Sequence, residues 1–133
     1  MQMKLELVPV PVRDLERAKA FYADVLGFHV DHDTTISAEV RLIQLTPPGS
    51  ACSIVISQGI PNLDEMTPGT IKALHLVVKD VSAARAEYRA KGVDVGEITD
   101  HGRGVKSAGF SDPDGNSWLF QEMAWRSVEF EGT

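Results

Sequence analysis

Four histidines carry most of the acid–base and ligating potential of this 133-residue chain: His29, His32, His75 and His101. A free imidazole titrates near about 6.5, so each can exchange a proton at neutral pH or hold a transition metal. The run His29-Val30-Asp31-His32-Asp33 has the residue types of a metal site. On a regular strand, however, alternate side chains share a face, so His29, Asp31 and Asp33 point one way and His32 the other. The run therefore reads as an exposed acidic edge. The loop His101-Gly102-Arg103-Gly104 either presents Arg103 to an anionic group from a mobile lid or is a plain flexible turn. Cys52 is the single cysteine, which excludes an intrachain disulfide. With no base beside it in the sequence, it reads as a buried, inert thiol. The chain has no glycine-rich phosphate loop, nucleophile elbow or zinc motif.

The elements that position these residues come as a repeat. Val12–Phe28 (VRDLERAKAFYADVLGF) returns as Val78–Val93 (VKDVSAARAEYRAKGV), with Asp80 and Tyr88 each 66 residues after Asp14 and Tyr22. The turn Pro47-Pro48-Gly49 returns at the same offset as Pro113-Asp114-Gly115. An offset of half the chain length signals two copies of one supersecondary unit.

In the first copy, Lys4–Val10 is predicted as a strand that Pro9 and Pro11 confine to an edge or a bulge. Asp14 caps a helix whose Leu15, Ala18, Tyr22, Val25 and Leu26 make one apolar face, and Gly27 stops it. Strands are predicted at Phe28–Thr35, Ala38–Thr46 and Ala51–Ser57. In the second copy, strand Ile71–Val78 precedes an Asp80-capped helix carrying Val81, Ala84 and Tyr88 and ending at Lys91-Gly92. Strands Val93–Ile98, Lys106–Ser111 and Ser117–Met123 follow, with Thr99–Val105 as a loop and Asp112–Gly115 as a turn. The prediction is one domain, 1–133, of two β-α-β-β-β repeats at about 1–58 and 71–123. A connector spans 59–70, and a tail spans 124–133, whose Trp125, Val128 and Phe130 are expected to dock.

Composition narrows the function classes. Apolar residues are 43% and charged residues 24% of the chain, the balance of a globular protein able to bury a core. A formal net charge of −6 argues against a nucleic-acid surface and is otherwise a matter of solubility. No stretch approaches the ~18 apolar residues of a membrane span, and the N-terminus MQMKLELV lacks a signal peptide's apolar run. A cytoplasmic protein with neither nucleic-acid nor membrane partner is the expectation.

Tandem β-α-β-β-β units, the V-x-D-x-x-x-A helix entry and the closing Asp112-Pro113-Asp114-Gly115-Asn116 hairpin resemble the vicinal oxygen chelate superfamily. It includes glyoxalase I, extradiol dioxygenases, methylmalonyl-CoA epimerases, and fosfomycin- and bleomycin-resistance proteins. The resemblance covers the chain to about Glu122. It implies an α+β fold whose tandem βαβββ modules form curved mixed sheets around a cavity, usually in a homodimer. It also implies a divalent metal held by the first and last strand of each unit. Placed seven residues before the helix-entry Asp and four after the turn glycine, the ligand positions are Leu7, Ser53, Ala73 and Leu119. Three of these offer no donor to a hard or borderline divalent ion, so no metal is expected except at a non-standard site.

Two-residue steps along the strands add Leu5, Pro9, Val55, His75, Val77, Ser117 and Gln121 to the face the resemblance assigns to the cavity. The polar groups there are Ser53, His75, Ser117 and Gln121. With Arg103 from the loop, they are the candidate ligand-binding residues. His75 is the candidate acid–base catalyst, the alternative being a buried histidine bonded to a neighbour.

The expected function is a metal-free cavity that binds a small organic molecule, as in the bleomycin-resistance branch, in a homodimer. A lyase, isomerase or dioxygenase with a rearranged site is the alternative, with His75 as base and further ligands from the partner chain or His101. A vestigial cavity in a protein of assembly is the third.

Overall fold

A computed structural model describes residues 1–131. The chain forms two compact units, one comprising Met1–Ile71 with Pro113–Asn116, the other Lys72–Asp112 with the chain from Ser117 onward. Each is built on one four-stranded mixed sheet.

In the first unit, β1 (Leu7–Pro9) lies at the sheet edge, parallel to β4 (Ser53–Gln58). β4 pairs antiparallel with β3 (Arg41–Thr46), and β3 with β2 (His29–Thr35), giving the order β1-β4-β3-β2. The edge position agrees with the two prolines, which have no N–H to offer a second neighbour. Helix α1 (Leu15–Lys19) starts where the Asp14 carboxylate accepts the Arg17 N–H at 3.1 Å. It continues as a π-helix, Ala20–Val25, in which the Leu26 N–H reaches back five residues to the Phe21 carbonyl. Gly27 ends it at φ 78°. Leu15, Ala18, Tyr22 and Leu26 are buried on this helix, as are Ile43, Leu45, Ile54 and Ile56 on the sheet. These four sheet residues share one face by register, Ile43 opposite Ile56 and Leu45 opposite Ile54.

The connector carries a short helix, α2 (Pro61–Asp64), whose Asp64 carboxylate accepts the Gly59 N–H at 3.0 Å. Leu63, Met66 and Pro68 of this segment lie over Pro9, Val55 and Ser57, around a pocket of about 130 Å³.

In the second unit the order is β5-β8-β7-β6. The strands are β5 (Leu74–Val77), β6 (Thr99–Gly102), β7 (Val105–Ser111) and β8 (Ser117–Met123). Helix α3 (Val81–Ala90) is capped by the Asp80 carboxylate, which accepts the Ala83 N–H at 3.1 Å. Tyr88 of α3 stacks on Phe120 at 5.2 Å, and Phe120 meets Phe110 at 4.8 Å. An aromatic cluster thus does here what aliphatic residues do in the first unit.

Three predicted elements differ. Val93–Ile98 is not a strand: the Val95 N–H turns back on the Val93 carbonyl at 2.9 Å, a kink that breaks a ladder. The strand begins instead at Thr99, inside the predicted loop. The tail forms a 3-10 helix, Ala124–Phe130, but Trp125 and Val128 are 62% and 64% exposed and do not dock within the described residues.

The β7–β8 turn belongs to the first unit, where the buried Asn116 side chain holds it together with the Asp114 carboxylate, which accepts from Arg17 at 2.9 Å. The Asn116 amide oxygen accepts the Gly69 and Ile71 N–H groups at 3.1 and 3.2 Å, and its amide nitrogen donates to the Pro11 carbonyl at 2.8 Å. Truncation strands three backbone groups, so Asn116→Ala is expected to cost about 3 kcal/mol. Loss of the helix cap in Asp14→Ala is expected to cost about 1 kcal/mol. Urea unfolding of both variants tests the order. An Asn116→Ala variant no less stable than Asp14→Ala would contradict the role assigned to the amide.

Candidate functional site

Each sheet buries one face under its helix, and the opposite face carries the candidate positions. In the first unit the second face is organised in cross-strand rows. Leu7 pairs with Ser53, and Pro9 with Val55, which also faces Gln44, itself paired with His32.

The β2–β3 register shifts between Val30 and His32, so Asp31 is an extra residue. This bulge overturns the alternation expected for the His29–Asp33 run. His29 and His32 now oppose Thr46 and Gln44 on one face, and Asp33 falls on the other with Ile43.

The bulge completes a chain of hydrogen bonds whose direction is set by its one obligate acceptor. Asp31 accepts from His29 Nδ1–H at 3.0 Å and from the Thr46 hydroxyl. Thr46 Oγ1, having spent its proton, accepts from the Ser53 hydroxyl at 2.6 Å. Ser53 in turn accepts from Gln44 Nε2 at 3.3 Å, and Gln44 Oε1 from His32 Nε2–H at 3.2 Å. In this arrangement His32 keeps its Nδ1 lone pair, and a neutral His29 keeps its Nε2 lone pair. Ser53, only 5% exposed, is the buried middle of a polar strip rather than an isolated packing residue.

In the second unit, one row runs Val77, Gln121, Ser107, Thr99 and the next His75, Leu119, Gly109. The Gly96 N–H extends the latter by donating to the Gly109 carbonyl at 2.8 Å. His75 is exposed, which sets aside the buried-histidine alternative. Its Nδ1 lies 2.6 Å from the Ala73 carbonyl, which can only accept; the nitrogen therefore carries the proton, and a neutral ring keeps its lone pair on Nε2. Ser117 is engaged at home: its hydroxyl accepts the Ala73 N–H at 2.8 Å and supports the left-handed turn at Ala73, φ 58°.

His101 is the extra residue of the β6 bulge and bonds the Ser107 hydroxyl at 2.7 Å. Arg103 is exposed at the apex of the β6–β7 hairpin. There Arg103 and Gly104, at φ 58° and 78°, form the tight two-residue turn that right-twisted strands favour. A groove of about 470 Å³ lies along Ala73, Ser117, Leu119, Gly109, Gly96 and Asp94.

The strand rows revise one of the four positions the resemblance marks for a metal. The Val10 N–H bonds the Val55 carbonyl, and the equivalent bond in the second unit joins Val78 to Gln121. Val78 lies 68 residues after Val10 but Gln121 only 66 after Val55, so two extra residues separate β1 from its helix. The counterpart of Leu7 is therefore His75, not Ala73. The positions become the pair Leu7 and Ser53 in one sheet and the pair His75 and Leu119 in the other. One imidazole and one hydroxyl already spent on Thr46 do not fit a divalent ion, which needs several carboxylate or imidazole donors. Among the described residues, no three His, Cys, Asp or Glu side chains are grouped to hold a metal.

On the helix side, Asp33 accepts from Arg41 Nε at 2.9 Å and Lys19 Nζ at 2.8 Å, and Arg41 also bonds Glu16. Arg41 first and Lys19 second hold the Asp33 carboxyl far below the usual 3.8. Hydrogen bonds from Thr46 and then His29 lower Asp31 as well. A depressed folded pKa contributes stability above the unfolded value that is lost as pH falls through the folded one. Asp33→Asn and Asp31→Asn should therefore flatten the acid limb of the stability curve below about pH 4 and leave the neutral limb parallel to wild type. Thermal melts across that range measure it, and curves parallel at every pH would rule the assignment out.

This architecture has known counterparts. Residues 4–120 match the family model for the Glyoxalase/Bleomycin resistance protein/Dioxygenase superfamily, and the chain belongs to that family. Among solved structures it is similar to TnmS3, an antibiotic binding protein from Streptomyces sp. CB03234, at 33% identity and TM-score 0.79, covering 92% of this chain and 97% of that one. A glyoxalase/bleomycin resistance protein from the same organism is 35% identical at TM-score 0.74, covering 88% of this chain and 98% of its own. A superfamily member from Sphaerobacter thermophilus DSM 20745 is 27% identical at TM-score 0.75, with 91% and 98% covered. No curated protein matches the sequence.

Proposed function

We propose that this protein binds a small organic molecule of the antibiotic type on the sheet faces turned away from α1 and α3, without a chelated metal. The observation that carries the reading is the substitution of the marked positions by Leu7, Ser53 and Leu119, with His75 alone keeping a ligating side chain. Sequestration needs affinity and no activated water or stabilised enolate, so it survives such a loss. The groove of about 470 Å³ falls within the ~300–1,000 Å³ of small-molecule pockets. The antibiotic-binding relative at 33% identity supports the ligand class.

His75 Nε2 serves as a hydrogen-bond acceptor for the ligand, and Gln121, half-buried on the neighbouring row, as an adaptable donor or acceptor. The protein acts as a homodimer, consistent with the exposed Met1, Met3 and Leu5 beside the edge strand and the exposed Trp125 and Val128.

Native mass spectrometry of untreated protein tests ligand, metal and assembly together. The expected result is a dimer that takes up members of an antibiotic panel and holds no stoichiometric metal. Stoichiometric nickel, zinc, manganese or iron would favour the lyase, isomerase or dioxygenase alternative with His75 as base. His75→Gln should weaken ligand binding by roughly three- to ten-fold, the worth of one hydrogen bond, with an unchanged melting temperature. Unaltered affinity removes His75 from the site.

A further inference from the structure

The connector between the two repeats roofs part of the first sheet. Its apolar Leu63 and Met66 lie over Val10 and Val55, and Ser57 and Asp64 complete the walls of the pocket of about 130 Å³. The roof is fixed at both ends. The Gly59 N–H donates to the two Asp64 oxygens at 3.1 and 3.0 Å, and the Gly69 and Ile71 N–H groups donate to the Asn116 amide oxygen. The pocket is therefore a standing feature of the fold.

Two polar groups in its walls are unspent. The Ser57 hydroxyl is half-buried and makes no hydrogen bond to another described residue. Asp64 accepts the Gly59 N–H, but among the described residues no ion pair includes it. From Gly59 to Ile71 the chain carries Asp64 and Glu65 and no lysine, arginine or histidine. Other carboxylates of this unit are matched: Asp33 by Lys19 and Arg41, Glu16 by Arg41, Asp114 by Arg17. A carboxylate offers about four lone-pair sites, and the Gly59 N–H leaves Asp64 room for further donors. A negative group without a counter-charge, set in the wall of an apolar pocket, favours a cationic guest.

Size limits that guest. An apolar cavity of about 150 Å³ accepts a benzene ring, so this smaller but open pocket holds one ring whose substituent emerges at the mouth. We infer that the pocket beneath the connector is a subsite for a compact organic cation, its ring under Leu63 and Met66 and its ammonium group on Asp64. This rests on the small-molecule reading above, since Pro9 and Val55 belong to the same sheet face, and adds the chemistry of one end of the ligand.

The test pairs benzylamine, a cation at neutral pH, with benzyl alcohol, its neutral counterpart. Each is titrated into isotope-labelled full-length protein and followed by two-dimensional amide NMR. Benzylamine is expected to shift the Val55, Ser57, Gly59 and Met66 amides saturably, with a Kd of about 1 mM, the scale for so few heavy atoms. Benzyl alcohol is expected to bind roughly five-fold more weakly, the worth of one charge-assisted bond at an exposed carboxylate. Asp64→Asn keeps an oxygen for the Gly59 N–H and is expected to bring the two affinities together. Salt at about 0.5 M should shrink the preference in wild type as well. Ser57→Leu fills the pocket from β4 and is expected to weaken both probes roughly ten-fold. Amide dispersion and melting temperature show whether each variant is folded, and Asp64→Asn decides alone where leucine disturbs the strand. Equal affinities in wild type overturn the inference, as does an undiminished preference in folded Asp64→Asn or a set of shifts that spares the pocket. If antibiotics from the panel bind but benzylamine does not, the subsite fails and the small-molecule reading stands. If benzylamine binds as expected but no panel member does, the subsite stands and the antibiotic class fails. If neither binds, both fail.

Discussion

Each sheet must bury one face beneath a single short helix, and that demand decides what its other face is free to carry. Strand side chains alternate, so placing Ile43, Leu45, Ile54 and Ile56 against α1 turns Gln44, Thr46, Ser53 and Val55 the other way. A slip of one residue in β3 would bring Gln44 under the fully buried Tyr22 and expose Ile43, exchanging several kcal/mol of apolar burial for unpaired amide. The core therefore enforces the register, and the register composes the site. In the second unit the same role falls to Tyr88, Phe110, Trp118 and Phe120, whose mutual packing holds Leu119 and Gln121 on the opposite face.

Bulges are how this fold escapes the strict period of two. In both sheets the outermost strand gains one residue, Asp31 in β2 and His101 in β6, and in both that residue reaches a hydroxyl on the adjacent strand, Thr46 or Ser107. In β2 the consequence is large. Without the bulge, Asp31 and His32 would lie on opposite faces; with it, a carboxylate and two imidazoles join one polarised chain through Thr46, Ser53 and Gln44. Asp33 is simultaneously sent to the helix side, where Arg41 and Lys19 neutralise it. One inserted residue thus sends two nearby carboxylates to opposite faces of the sheet.

The repeat itself is less uniform than its landmarks. Helix caps and hairpin turns keep the 66-residue offset, yet the opening strands do not, because the first unit spends two additional residues between strand and helix. That longer link includes Pro11, whose carbonyl is held by Asn116 from the turn that closes the second repeat. It also places His75 opposite Leu119.

Local chemistry made the two Asp-capped helices, the glycine stops, the β-α-β-β-β order, the family and the last strand Ser117–Met123 legible from the amino-acid sequence alone. Each rests on neighbours within about four residues or on a repeat, and both are properties of a string. The kink at Val95, the bulge at Asp31 and the pairing of His75 with Leu119 were decided only by tertiary structure. They depend on which strand lies alongside and at what register, and no residue carries that information by itself.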